Sequence, residues 1–439
     1  AVSLGYPMDK PDICVIGLGY IGLPTASIFA TQGFKVLGID INPSVVDTVN
    51  GGNIHIEEPG LRTMVKAGVN SSQLRASTDV EPSDVYIIAV PTPCSDTDGG
   101  DRQSDLRAVE HAVDSILEVI EEGALVILES TSPPGTTADL VAAPLERAGM
   151  TVGEDVFVAH CPERVLPGHI LRELTQNDRI IGGMTEACSA RAEELYRSFV
   201  EGSIHLAGAT EAELIKLMEN TYRDVNIALA NELADVCDHL GVDAQRIIEL
   251  ANCHPRVHLH RPGPGVGGHC LPLDPWFVIE SAPEQATLIK QARLLNHRVP
   301  EVLVDEIVET LADIDDPRVA VFGIAYKGNV DDVRESPGLE IVERLETQGV
   351  DVRIYDPHVR GISRELVGLE PSVEQADAIV ITSPHDEFKY LDPAEFTDQV
   401  RHHWIFDLSN HLSAQKWIDA GFSYIGRGRF QRGRTRSET

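Results

Sequence analysis

Lysine is scarce in this 439-residue chain, with 8 Lys against 28 Arg, and acid outweighs base so far that the formal net charge is −33. Such a surface repels phosphate backbones, which excludes nucleic acid as a partner. It is also what a salt-rich cytoplasm favours, because dense salt screens the self-repulsion of the compact state, so a halophilic protein is expected. Long apolar runs are missing too: none approaches the roughly 18 residues that cross a bilayer, and no membrane association is expected. The opening AVSLGYPMDK has neither the basic start nor the apolar run of a secretory signal, which predicts a cytoplasmic location. The seven cysteines (14, 94, 161, 188, 237, 253 and 270) form no CxxC pair and no framework spacing. They read as free thiols, mostly small buried hydrophobes. Histidines gather at His254, His258, His260 and His269, but their spacings match no zinc template, so no metal is expected.

What is present is the composition of a folded protein, 42% hydrophobic and 24% charged, long enough for two or three domains. ICVIGLGYIGLPTASIFATQGFKVLGID, residues 13 to 40, reads as strand, glycine turn, helix and strand. DVYIIAVPTP (84–93), ALVILEST (124–131) and DVFVAHCPE (155–163) read as further strands, with a helical pattern from Leu106 to Glu121 between the first two. Alternation of this kind predicts a doubly wound parallel sheet. From Ala212 to about Gly241 nearly 30 residues pass without Gly or Pro, at helical spacing, a helix of roughly 45 Å. RVAVFGIAYKG, SPGLEIVERLETQG, VDVRIYDP and ADAIVITSP then repeat the first architecture in outline. The expected domains are a dinucleotide-binding domain over 1–207, a helical central and dimerisation domain over 208–313, a second α/β domain over 314–426, and a disordered basic tail over 427–439, which carries five arginines.

Gly17-Leu18-Gly19-Tyr20-Ile21-Gly22 follows a strand and opens a helix, and Asp40 stands about 20 residues on. The glycines allow a tight turn and close approach to a pyrophosphate; the carboxylate suits a ribose 2′-hydroxyl and repels a 2′-phosphate, so NAD is expected as the cofactor. Gly265-Val266-Gly267-Gly268-His269-Cys270 fits both an inert thiol in a tight loop and a presented nucleophile. Asp274, four residues on, could be its acid/base partner. Lys216 and Asn220 are at i and i+4, on one face of the long helix, and Asn231 falls close to that face three turns later. Ser130 and Thr131, in ESTSPPGTT, lie outside any GxSxG elbow and suit a polar strand end beside a dinucleotide.

Together GLGYIGLP, VPTP, ESTSPPGTT, CPERVLPG, KLMENTYRDVNIALANEL, GVGGHC with Asp274, and GIAYKGNVDDVRESP resemble the family of UDP-glucose and UDP-N-acetylmannosamine 6-dehydrogenases over almost the whole chain. HCPERVLPG, ENTYRDVNIALANEL, HPRV and PGPGVGGHC resemble its UDP-N-acetyl-D-mannosamine branch. Leu273 departs from the lysine usual there in UDP-glucose enzymes. The resemblance implies a four-electron oxidation of carbon 6 of a UDP-sugar with two NAD, through a thiohemiacetal and a thioester. It implies Cys270 as nucleophile, Lys216, Asn220 and Asp274 as organisers of proton transfer and oxyanion, Glu163 as base for the hydrolytic water, and Thr131 beside the nicotinamide. It further implies that Pro91, Thr92 and Arg334 join Gly17, Gly19, Tyr20, Ile21, Gly22 and Asp40 around NAD. Glu163, Arg164, Val165, Leu166, Lys216, Asn220, Arg256, Gly265, Tyr326 and Lys327 are the implied UDP-sugar contacts, with Arg256 acting from a second subunit of a homodimer or higher oligomer. A two-electron β-hydroxyacid dehydrogenase shares the Lys and Asn at i, i+4 but lacks the GGHC cysteine.

Overall fold

The computed structural model describes residues 10–97 and 100–429, and the chain falls into two compact units. The first holds the residues up to Glu219 with Trp276–Gln285; the second holds Asn220–Pro275 and the residues from Ala286 onward.

In the first unit the strands are β1 (Ile13–Ile16), β2 (Val36–Ile39), β3 (Leu74–Ser77), β4 (Val85–Ile88), β5 (Cys94–Asp96), β6 (Arg102–Ser104), β7 (Leu125–Leu128), β8 (Phe157–His160), β9 (Arg179–Gly183) and β10 (Ile204–Gly208). β5 and β6 make a small hairpin; the other eight form one sheet in the order β10-β9-β8-β7-β4-β1-β2-β3. Runs such as ICVI and LVIL are buried along their whole length, as strands covered on both faces must be. Alternation sorts their side chains between the two faces. Ile13 and Val15 enter one core with Leu23, Phe29 and Ile127, and Cys14 and Ile16 enter the opposite one with Tyr86, Ile88 and Val113. The strand order reverses between β1 and β4, the crevice where α/β sheets bind ligands.

The sheet departs from the all-parallel expectation at one joint. β9 runs antiparallel to β8, with Ala159 opposite Gly183 and His160 opposite Gly182, although β9 and β10 are mutually parallel. The chain therefore turns back at the carboxyl end of β8 instead of crossing a face. Carried outward, that register sets Glu163 opposite Arg179.

In the second unit β11 (Arg318–Phe322), β12 (Asp351–Tyr355), β13 (Ala378–Ile381), β14 (Trp404–Asp407) and β15 (Ser423–Gly426) form a parallel sheet in the order β12-β11-β13-β14-β15. Val319 and Val321 face one core with Ile341 and Val380, and Ala320 and Phe322 face the other with Ile379 and Trp417. The long helix runs Ala209–Leu240, 32 residues. Arg427 to Arg429 belong to the folded body and not to a tail. Arg427 is buried, pairs with Asp235 at 2.8 Å and donates to the Asn231 carbonyl at 3.3 Å, while the Gly428 carbonyl accepts from the Ala244 amide at 2.8 Å. The rest of the expected tail, 430–439, lies outside the described residues. Among those residues no helix is long and apolar enough to cross a membrane.

Candidate active site

The first unit builds a dinucleotide cradle from three glycines with different duties. Gly17 has φ +94°, and a Cβ there would stand 2.5 Å from the Ala89 carbonyl oxygen; at Gly22 it would stand 1.7 Å from the Gly17 oxygen. These two close the turn and pack it. A Cβ at Gly19 would meet nothing within 4 Å, so its absence serves whatever approaches from outside, as a pyrophosphate does at a helix N-terminus. Asp40, just past β2, accepts from the Leu18 amide at 3.2 Å and the Asn42 amide at 2.9 Å, one donor per oxygen, which leaves lone pairs for a ribose hydroxyl. The cradle fits NAD. Tyr20 beside it is 45% exposed.

The carboxyl ends of β4, β7 and β8 carry the next residues. The Thr92 hydroxyl donates to the Thr131 carbonyl at 2.5 Å, and the Ser130 hydroxyl to the Val90 carbonyl at 2.8 Å. Pro91, Thr92 and Thr131 are thereby held at two adjacent strand ends. After β8, Arg164 donates to Glu219 at 2.7 Å and Leu166 N to Glu173 at 2.8 Å. Lys216 is buried. Burial, then the Lys216 ammonium, push the His160 imidazole down to about 3, so His160 stays neutral beside that cation.

The second unit assembles a different set. Four of the seven cysteines are buried; only Cys253 and Cys270 are exposed. Burial pushes the Cys14 thiol up to about 12, which makes it inert. The loop before Cys270 lies flat on its neighbours: a Cβ at Gly267 would stand 2.5 Å from the Glu335 carbonyl oxygen, one at Gly268 3.0 Å from the Tyr326 ring, and the Gly268 amide donates to the Arg334 carbonyl at 3.0 Å. Tyr326, Arg334 and Cys270 thus share one neighbourhood. Burial, then Asp332, raise the Tyr326 hydroxyl above its ordinary range. The Cys270 carbonyl accepts from the Leu273 and Asp274 amides at 3.0 and 2.9 Å. Asp274 is buried and accepts from the Asn220 side chain at 2.6 Å, which ties the cysteine loop to the long helix one turn beyond Lys216. Lys327 and Arg256 are exposed, Arg256 in the loop after the helix Ala244–Ala251.

Other residues of these sites are not apparent from sequence. Arg293 donates to the Leu271 carbonyl at 3.3 Å and pairs with buried Asp224 at 2.9 Å, so a buried ion pair anchors the residue after Cys270. Asn231 has a structural duty: it is fully buried, accepts from the Gly263 amide at 3.0 Å and donates to Asn296 at 3.3 Å. Beside Glu163 stand Glu129, Arg179 and Tyr196; Glu129 opens the ESTSPPGTT stretch, but nothing in sequence alone pairs it with Arg179. Among the described residues one group, His358, His385 and Glu387, has the spacing of metal ligands. The Asn329 amide donates to His385 Nδ1 at 2.9 Å, which places the ring proton on Nε2, 3.1 Å from Asp356. Neither nitrogen keeps a lone pair for an ion.

Comparison with known proteins finds three family domains along the chain. Residues 11–200 match the NAD binding domain of the UDP-glucose/GDP-mannose dehydrogenase family, 210–298 its central domain and 320–414 its UDP binding domain. The UDP-N-acetyl-D-mannosamine dehydrogenase of Methanococcus vannielii is 46% identical over 94% of this chain and 98% of its own. The NDP-N-acetyl-D-galactosaminuronic acid dehydrogenase of Ralstonia solanacearum is 45% identical over 93% and 98%. Among solved structures, a UDP-D-ManNAc dehydrogenase from Pyrococcus horikoshii is 46% identical, with a TM-score of 0.86 over 95% of this chain and 99% of that one.

Proposed function

We infer the function from one premise: the chain belongs to the UDP-glucose/GDP-mannose dehydrogenase family, with its NAD-binding, central and UDP-binding domains in that order. The reaction we propose is oxidation of carbon 6 of UDP-N-acetyl-D-mannosamine to the carboxylate, in two successive two-electron steps. The observation that carries it is the tie between an exposed Cys270, buried Asp274 and Asn220, groups from distant parts of the sequence gathered at one loop. A plain alcohol dehydrogenase has no use for that thiol.

NAD, when bound, accepts the hydride of each oxidation. Gly19 leaves its pyrophosphate room, and Asp40 takes the ribose hydroxyl. Pro91, Thr92 and Thr131 line the nicotinamide side, with Tyr20, Ile21 and Arg334 as further cofactor contacts. The Cys270 thiolate adds to the aldehyde left by the first oxidation; Lys216 and Asn220 stabilise the resulting alkoxide, and Asp274 orients Asn220. The second oxidation leaves a thioester on Cys270, which water hydrolyses with Glu163 as base. Arg164, Val165, Leu166, Gly265, Tyr326 and Lys327 contact the UDP-sugar, and Arg256 reaches it from the partner of a homodimer. In support of the dimer, Tyr222, Leu229 and Val236 recur every seven residues on the long helix at 61%, 49% and 46% exposure, a seam that needs a partner. The protein works in a salt-rich cytoplasm, as its net charge of −33 supports, and the uronate feeds polysaccharide synthesis.

Relatives acting on N-acetylmannosamine and N-acetylgalactosamine derivatives stand at nearly equal identity, 46% and 45%. The N-acetyl group is what they share. In molar KCl we expect UDP-N-acetylmannosamine to be oxidised at least tenfold faster than UDP-N-acetylgalactosamine, and UDP-glucose to be almost inert. Preference for UDP-glucose would overturn the substrate assignment and leave the chemistry standing.

A further inference from the structure

Glu163 is held in a buried group that the proposed mechanism does not yet use. Glu129, at the end of β7, is 2% exposed, and Arg179, the first residue of β9, is 5% exposed. Arg179 Nη2 donates to Glu163, whereas Nη1 stops 3.6 Å from Glu129, beyond hydrogen-bond length. The guanidinium lies over the Tyr196 ring at 4.1 Å from its centroid. Glu129 accepts from the Tyr196 hydroxyl on one oxygen and from the Thr25 hydroxyl, at 3.5 Å, on the other. The groups facing the two carboxylates are therefore Thr25 from the helix Gly22–Thr31, Tyr196 from the helix Glu186–Tyr196, Arg179 from β9, and Cys161 and Arg164 from the segment after β8.

Two carboxylates share one cation in a dry place. Ionising both leaves an uncompensated buried charge, so the group holds one proton near neutrality. Burial, then Glu163, push the Glu129 carboxyl up to about 7, against the pull of Arg179; burial also raises Glu163. The direct hydrogen bond from Arg179 goes to Glu163 alone, which keeps the anion there and the proton on Glu129.

We propose that Arg179 and Glu129 are positioning residues for thioester hydrolysis, Arg179 holding Glu163 ionised and aimed while Glu129 takes or gives up the proton that keeps the trio neutral. The inference rests on Glu163 being the base. In the step, a water O–H bond breaks and its proton goes to Glu163. The hydroxide oxygen bonds to the thioester carbon, the C–S bond breaks, and sulfur leaves as the Cys270 thiolate. The new carboxylic acid passes its proton to that thiolate. With Glu163 now neutral, Arg179 draws the negative charge to Glu129, whose proton leaves to solvent; transfer of the Glu163 proton back to Glu129 resets the trio.

The test is rapid mixing of the whole enzyme with NAD and UDP-N-acetylmannosamine from pH 5 to 9, with acid quench and intact mass to count the thioester. In E163Q the thioester persists at every pH. In E129Q, which keeps an acceptor for Tyr196 but has no titratable proton to give up, the charge left when Glu163 takes the water proton is not relieved. Hydrolysis slows about tenfold, and the part of its acid limb that follows Glu129 is lost, so the limb moves down by about one pH unit. Y196F, which removes the donor to the Glu129 carboxylate, holds the proton on Glu129 more tightly and moves the limb up instead, and it serves if E129Q does not fold. An unmoved acid limb in both E129Q and Y196F overturns the proposal. Normal hydrolysis in E163Q instead overturns the role of Glu163 as base, whatever Glu129 does.

Discussion

The two parallel sheets of this chain each carry an aspartate just past the second strand of a strand–turn–helix–strand unit, and they use it differently. Asp40 in the first unit meets two backbone amides, those of Leu18 and Asn42. Asp356 in the second meets the amides of Ile324, Ala325, His358 and Val359 and the ring of His385. Burial works against its charge, yet His385 and those amides hold its carboxyl down to about 2. The turns differ in the same sense. Gly17 and Gly323, each directly after its first strand, are both tightly enclosed, but Gly19 opens onto free space where the second turn places the buried Ala325. The first turn keeps its polar groups available to a cofactor and the second spends them on its own fold. One architecture serves two purposes, and hydrogen-bond capacity tells them apart.

The proposed covalent chemistry falls on the Cys270 loop of the second unit, and the largest expected effect follows from that proposal. Cys270→Ala should lower uronate formation by more than about 10³-fold, read as product in an end-point assay, with little change in NAD affinity. If product formation survives within tenfold, the second unit has no covalent role.

Asp356→Asn comes next. It strips a buried charge from five donors and should destabilise by about 3 kcal/mol, a fall of several degrees in Tm; the equivalent Asp40→Asn should leave Tm within about a degree. Equal shifts in the two variants would erase the distinction. Asp356 also predicts an acid transition: a depressed carboxyl contributes stability above its unfolded pKa of about 3.9, and that contribution of about 2 kcal/mol is lost as pH falls from roughly 4 toward 2. Guanidinium melts at pH 6 and pH 3 should show the loss in wild type and not in Asp356→Asn.

A smaller effect separates the glycines. Gly19→Ala should fold normally and raise KM for NAD about tenfold, because its methyl intrudes only on the ligand. Gly323→Ala, at φ +82° and in a tight contact, should lose stability and leave KM for NAD unchanged.

Much of this was legible in the residues. Strand and helix identities came from periodicity, and the glycine turn with Asp40 carried its cofactor with it because those residues are local in sequence. The long helix, expected at about 212–241, runs Ala209–Leu240, and the Cys270 loop was visible as a glycine run. What stayed hidden depends on strand pairing. The antiparallel joint of β8 and β9 brings Arg179 to Glu163 across 16 residues of chain, and β7 lying beside β8 supplies Glu129; neither adjacency has a local signal. Asn231 shows the opposite failure. Its spacing from Asn220 suggested a shared polar face, but burial and its bond to Gly263 make it a pin for the loop. The arginines at 427 and 429 looked like a solvated tail on composition alone, yet Arg427 finds Asp235 and a helix carbonyl.

The central claim is four-electron chemistry through Cys270, and counting NADH tests it most directly. With limiting UDP-N-acetylmannosamine and excess NAD in molar KCl, two NADH per sugar consumed is the predicted result. One NADH per sugar, unchanged in Cys270→Ala, would contradict it.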